Sequence, residues 1–156
     1  MTFEKRDLRF YITNDYECEI NNEDIKYFSE RKITRSEPVF LVFSYKIEEN
    51  NYVDVGYVQF DLKVINKNAY ITYYIRPEFR GKGLGKVVLS KSIDFAFKEL
   101  NLHRLTAEVY EYNVPSIRLL KSLGFEQEGI LKQAKYHDER FWDIIIMGLL
   151  RENWKR

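Results

Sequence analysis

The segment Arg80-Gly81-Lys82-Gly83-Leu84-Gly85-Lys86 is where residue type and spacing most directly specify chemistry. Glycines at 81, 83 and 85 permit a tight turn and leave no Cβ above their N–H groups. A β-branched and aromatic run, Tyr70 to Ile75, precedes them, and an amphipathic run to Leu100 follows. Strand, glycine loop and helix N-terminus together make an anion site. The first N–H groups of a helix have no internal partner, and the helix dipole favours negative charge there. Arg80, Lys82 and Lys86 add positive charge. Spacing narrows the choice of anion. A nucleotide-triphosphate loop has four residues between its glycines and then Lys-Ser/Thr, whereas three residues separate Gly81 from Gly85 and Val87 follows Lys86. No hydroxyl is placed for magnesium. The dinucleotide fingerprint G-x-G-x-x-G fails as well, because Gly81 to Gly85 reads G-x-G-x-G. What remains is R-x-x-G-x-G, from Arg80 to Gly85, with a solvated basic turn as the plain alternative.

A second constellation lies one helix and one strand further on. It reads Asn113-x-x-Ser116-x-x-Leu119-Leu120-x-x-Leu123-Gly124-Phe125. Asn113 is suited to cap a short helix, Pro115 to its first turn and Gly124 to its end. The two motifs, in this order and at this separation, resemble the GNAT superfamily of N-acetyltransferases, whose R-x-x-G-x-G loop holds the diphosphate of acetyl-coenzyme A. The tail, through Tyr136-His137-Asp138 and Phe141-Trp142-Asp143-Ile144, resembles the RimJ/RimL-like branch. The likeness covers residues 53 to 150 in rough outline.

The resemblance implies a cofactor path and a set of roles. Arg80, Gly81, Lys82, Gly83, Leu84, Gly85 and Lys86 are expected on the diphosphate, and the main chain of Tyr73, Tyr74 and Ile75 along the pantetheine arm. Asn113 and Ser116 are expected to flank the sulfur. A main-chain N–H on this strand is the expected donor to the thioester carbonyl, and one such donor contributes about 3 kcal/mol to an oxyanion's stabilisation. A primary amine must lose a proton before it attacks, and the departing thiolate must gain one. Ser116 is the candidate acid, with helix capping as its plain alternative. The tyrosine that many relatives place four residues later is Leu120 here. Relatives often carry a glutamate at the position of Tyr70, and this chain does not. Glu108 is therefore the candidate base, acting through water, with Glu111 and Tyr136 as weaker candidates.

Elements must position these groups. Leu8 to Ile12, Val39 to Ile47, Val53 to Val64, the central run to Ile75, Arg104 to Tyr110, Gly129 to Tyr136 and Trp142 to Leu150 read as strands. Helices are predicted after Asn22-Glu23-Asp24, over the run from the glycine loop to Leu100, and after Asn113. Leu89, Ile93, Ala96 and Phe97 form the buried stripe of the long one. The expectation is an α/β fold with a mixed, mostly antiparallel sheet of about seven strands. Helices cover both faces, and the resemblance implies a splayed central strand.

Bulk properties limit the rest. At 156 residues with no linker or repeat, a single domain over 1–156 is expected. Lys and Arg total 25 against 24 acidic residues, which gives no electrostatic case for nucleic acid. Apolar runs such as Ile144 to Met147 are too short to span a bilayer, and the first residues lack the apolar core of a signal peptide. Cys18 is the one cysteine, consistent with a reducing, cytoplasmic compartment. His103 and His137 lack metal-ligand spacing, so no metal is expected. The sequence thus predicts direct transfer from acetyl-CoA to a primary amine on a small molecule or a protein N-terminus, by a monomer or homodimer. An acyl-CoA-binding sensor with little transfer activity is the alternative.

Overall fold

The computed structural model describes residues 4–13 and 37–154. Seven strands form one sheet: β1 (Arg9–Thr13), β2 (Glu37–Glu48), β3 (Asn51–Lys63), β4 (Asn68–Ile75), β5 (Arg104–Tyr110), β6 (Glu126–His137) and β7 (Arg140–Leu150). Their order is β1-β2-β3-β4-β5-β7-β6. Every neighbouring pair is antiparallel except β4 and β5. The exception follows from connectivity: α1 (Leu84–Lys98) carries the chain back across the sheet before β5 starts, whereas short turns join the hairpins. α2 (Val114–Ser122) links β5 to β6.

Burial explains why α1 is held firmly behind its glycine loop. Val88, Leu89, Ile93 and Ala96 are fully buried, at the helical spacing the sequence shows. They join Leu41, Phe43 and Phe60 of the sheet and Leu120 of α2 in one cluster. Each large apolar side chain buried in this way contributes about 1.5–3 kcal/mol. Both described helices belong to that cluster. The opposite face carries a smaller one, Phe40, Val42 and Tyr57 with Tyr74 packed against them. The helix predicted after Asn22 lies outside the described residues.

The feature that matters for function is where pairing stops. β4 and β5 are matched only at Asn68↔Arg104, Ala69↔Leu105 and Tyr70↔Thr106. β4 nevertheless continues to Ile75 and β5 to Tyr110. The other edges of both strands stay paired throughout, β4 with β3 as far as Ile75↔Gly56 and β5 with β7 as far as Tyr110↔Ile144. The sheet therefore opens between its central strands. Pro77 and the 3₁₀ turn Pro77–Phe79 prevent β4 from extending further.

Candidate active site

The opening is a cleft of about 960 Å³. It brings together Tyr73, Tyr74 and Ile75 of β4, Arg80, Gly81, Gly83, Leu84 and Gly85 of the loop, Glu108 of β5, and Asn113 and Ser116 of α2. Residues about 40 positions apart in sequence thus share one wall-to-wall space. Lys82 and Lys86 are exposed beside it and do not line it. Lys82 Nζ lies 5.7 Å from the centre of the Phe79 ring.

Register decides which main-chain groups face the cleft. Arg76 N–H donates to Val55 O, and Arg76 and Val55 continue the β3–β4 register. Main-chain groups alternate sides along a strand, so those of Tyr74 also point to β3 while those of Tyr73 and Ile75 point into the gap. Arg80 Nε donates to Ile75 O at 2.8 Å, as that parity requires. The expectation for Tyr74 is corrected accordingly. It presents its ring to the cleft, with the Arg80 guanidinium 5.4 Å from the ring centre, and its amide is committed to the sheet.

The loop owes its shape to glycine at two positions. Gly81 has φ +76° and open space where a Cβ would stand. Gly83 has φ +72°, precedes α1 and offers no side-chain cap, so the first N–H groups of the helix are left for an incoming acceptor. A Cβ on Gly83 would stand 2.9 Å from Lys5 Nζ, so a lysine from the N-terminal 3₁₀ turn Lys5–Asp7 reaches over the loop.

At the other end of the cleft Asn113 Oδ1 accepts the Ser116 N–H at 3.3 Å, the cap that the sequence predicts. Ser116 is buried, and its Oγ accepts a 2.9 Å hydrogen bond from the Tyr73 hydroxyl. Burial raises the Tyr73 phenol above its ordinary value, and the bond to Ser116 opposes that rise. Tyr73 is thus a neutral donor near pH 7. With its oxygen accepting from Tyr73, Ser116 keeps its own hydrogen free to donate elsewhere.

The structure separates the three candidate bases. Glu108 lines the cleft on the β5 face opposite Ala107 and Val109, exposed to solvent. Glu111 Oε1 accepts the Asp143 N–H at 2.9 Å and is occupied in holding β7. Tyr136 is exposed on β6, packed on Phe141 and away from the cleft.

Comparison with known proteins decides the family. The model of the acetyltransferase (GNAT) domain matches residues 4–126. The chain belongs to the GNAT acetyltransferase family. This GNAT chain is 30% identical over 101 residues to the uncharacterized N-acetyltransferase YnaD of Bacillus subtilis, covering 64% of the chain and 59% of the relative. It is 28% identical over 101 residues to the spermidine N(1)-acetyltransferase of Vibrio cholerae, covering 64% of the chain and 58% of the relative. The matched stretch is thus less than two thirds of the length of these relatives. The crystal structure of the Vibrio cholerae spermidine N-acetyltransferase in complex with CoA and spermine superposes with a TM-score of 0.76, at 19% identity, covering 96% of this chain and 98% of that one. The seven-stranded, mostly antiparallel sheet is therefore the GNAT fold.

The site of this GNAT chain fits a coenzyme A diphosphate. The loop is free of side chains at Gly81 and Gly83, Arg80 and Lys5 are cationic neighbours, and the cleft continues from it to Ser116. Two of these features are not apparent in the motifs. Lys5 is about 75 residues upstream of the loop, with no pattern linking them. Tyr73 enters the motif reading through its main chain alone, because strand alternation by itself does not say which face meets α2.

Proposed function

We propose that this chain transfers acetyl from acetyl-CoA to a primary amine of a small polyamine-like acceptor, directly and without an acyl-enzyme. The observation that supports it best is the interrupted β4–β5 pairing, which opens a cleft between an anion-binding loop and a buried proton donor. Bound acetyl-CoA supplies the activated acetyl thioester. Arg80, Lys5 and the free N–H groups at the start of α1 hold its diphosphate, with Lys82 and Lys86 contributing charge at the rim. The main chain of Tyr73 and Ile75 offers the edge along which the pantetheine arm lies.

Glu108 takes the proton of the incoming ammonium, through water, so that a neutral amine faces the carbonyl. The Tyr73 N–H is directed into the gap, where a carbonyl oxygen gathering charge would be stabilised. Ser116 donates its proton to the departing sulfur and takes one from Tyr73, and the second proton that the nitrogen sheds on becoming an amide returns through water to the Tyr73 oxygen, so both hydroxyls end neutral. The rest is positioning of two reactants in one cleft.

A polyamine is preferred to a protein N-terminus because two carboxylates line the cleft, Asp61 on β3 and Glu108 on β5. Placement in the RimJ/RimL-like branch rests on the tail motif, and the N-terminal amine of a protein is the second reading. Thiol release from acetyl-CoA with spermidine, an amino sugar and a short peptide tests this. Release with spermidine is expected. Coenzyme A binding without release on any of the three would favour the sensor alternative.

A further inference from the structure

The face of the sheet turned away from both described helices carries a polar row leading into the cleft. Pairing of β3 with β4 sets Tyr57 opposite Tyr74, Gln59 opposite Thr72 and Asp61 opposite Tyr70. Directly paired residues point to the same face. Tyr57 and Tyr74 pack with Phe40 and Val42, so this is the face turned away from α1 and α2. Asp61, Tyr70 and Thr72 all line the cleft. The row is fixed from below: Gln59 is 7% exposed, and its Nε2 donates to Asp61 Oδ1 at 3.0 Å. That bond uses one lone pair of one carboxylate oxygen, and the rest of the carboxylate's acceptor capacity remains. Lys63 is the nearest cation along the strand, and its Nζ lies 5.2 Å from the centre of the Tyr70 ring. Among the described residues Asp61 forms no ion pair.

Across the opening stand Glu108 and Tyr110, on the β5 face opposite Val109. Lys135 Nζ lies 4.4 Å from the centre of the Tyr110 ring, so a cation already covers that side. Free carboxylate capacity on the β3 side therefore comes from Asp61. Tyr70 pairs with Thr106, which places Asp61 two strands from β5 and two residues out of step with Glu108. With strands about 4.8 Å apart and a rise of about 3.3 Å per residue, a closed sheet would set the Cα atoms of Asp61 and Glu108 about 12 Å apart, and the opening beyond Tyr70↔Thr106 sets them further apart than that. Side chains reaching inward from both leave room for a short diamine between them.

We propose that Asp61, held by Gln59, is an acceptor-specificity residue: it binds a second ammonium of the acceptor while the reacting amine lies toward Glu108. This rests on the acetyl-transfer reading above and specifies its acceptor as an amine with at least two positive charges. Asp61 takes no part in bond making.

Steady-state kinetics with n-butylamine, 1,4-diaminobutane and spermidine test it in the wild-type chain, Asp61→Asn and Asp61→Glu. Asparagine keeps the Oδ1 that Gln59 binds, so the fold is retained and only the charge is lost. The expected result for D61N is a KM about tenfold higher for both polyamines. KM for butylamine, KM for acetyl-CoA and kcat should each stay within twofold, and D61E should recover most of the loss. An equal rise for butylamine, or no rise at all, overturns the inference. Calorimetric titration of spermidine into the coenzyme A-loaded protein measures the same contact without turnover. A tenfold weaker Kd in D61N supports Asp61 even if no amine is acetylated, in which case only the transfer reading fails. Equal Kd values, or no spermidine binding to the wild type, dispose of Asp61.

Discussion

The Tyr73 hydroxyl donates to Ser116 Oγ across 2.9 Å, tying the central strand to the first turn of α2 at the inner end of the cleft. One bond links β4, one side of the opening, to the helix that follows β5. It also gives Ser116 a defined hydrogen-bonding role beyond that of a residue in a capped turn.

If the two act as one proton path, Ser116→Ala and Tyr73→Phe should each lower kcat by about 10²-fold, the lower end for a general acid. The double variant should be no worse than either alone, since groups in one network are not additive. Coenzyme A affinity should be unchanged in all three. Because burial raises the Tyr73 pKa, the neutral phenol is the form the fold favours. That preference is fully present below the ordinary tyrosine value and is lost as pH rises through the folded one. The alkaline limb of kcat should therefore lie above about pH 10. Y73F should remove that limb, and an unchanged limb would assign it to another group.

Gly83→Glu should abolish coenzyme A binding. The residue sits at φ +72°, where a side chain is strained, and the new carboxylate would face the diphosphate. Lys5 Nζ is close enough to pair with it, so the variant should still fold. Circular dichroism and calorimetry together check both statements. Retained binding would remove the diphosphate from this loop.

Lys5→Ala tests the lysine that reaches over the loop. Loss of one charge-assisted contact, about 1.5–3 kcal/mol, corresponds to a Kd for acetyl-CoA roughly 10- to 100-fold weaker. Acetyl-pantetheine lacks the diphosphate, and its KM should not move. An equal effect on both would mean that Lys5 acts on folding of the 3₁₀ turn and not on the anion.

Arg104 donates to both carboxylate oxygens of Glu128 and holds that carboxyl below its ordinary range. A lowered folded pKa stabilises the charged form, so the contribution is present above the unfolded carboxylate value and fades as pH falls through the folded one. Both side chains are partly exposed, 28% and 38%, which limits the pair to about 1 kcal/mol. Glu128→Gln should lower Tm by about 2–4 °C at neutral pH. The difference should shrink as pH falls below the ordinary carboxylate range and through the lowered Glu128 value. An undiminished difference there would point to packing over Gly148, whose missing side chain makes room for the Glu128 carboxylate.

Much of this protein is legible in local pattern. The bounds of β5 match the residues expected from alternation, and α2 begins after Asn113 and ends before Gly124 because its cap and its terminator are written in residue types. The glycine loop reads as an anion site for the same reason: a bare backbone before an amphipathic stripe is a property of consecutive residues. Other features depend on contacts between segments. Whether β4 and β5 stay paired beyond Tyr70↔Thr106 depends on how the two strands are held by the rest of the sheet and by the helices, not on their own residues. That the Tyr74 amide is spent on β3 while the Tyr73 amide faces the gap follows from register, which a hairpin sets and a single strand does not. The sequence puts Glu108 ahead of Glu111 as the base, and a bond from Asp143 N–H, which no local pattern shows, occupies Glu111. Residue types and their spacing determined the chemistry available to this chain. The tertiary fold decided which side chains share the cleft, because strand pairing and helix docking are non-local and place Lys5, Asp61, Tyr73 and Ser116 around one opening from four separate parts of the sequence.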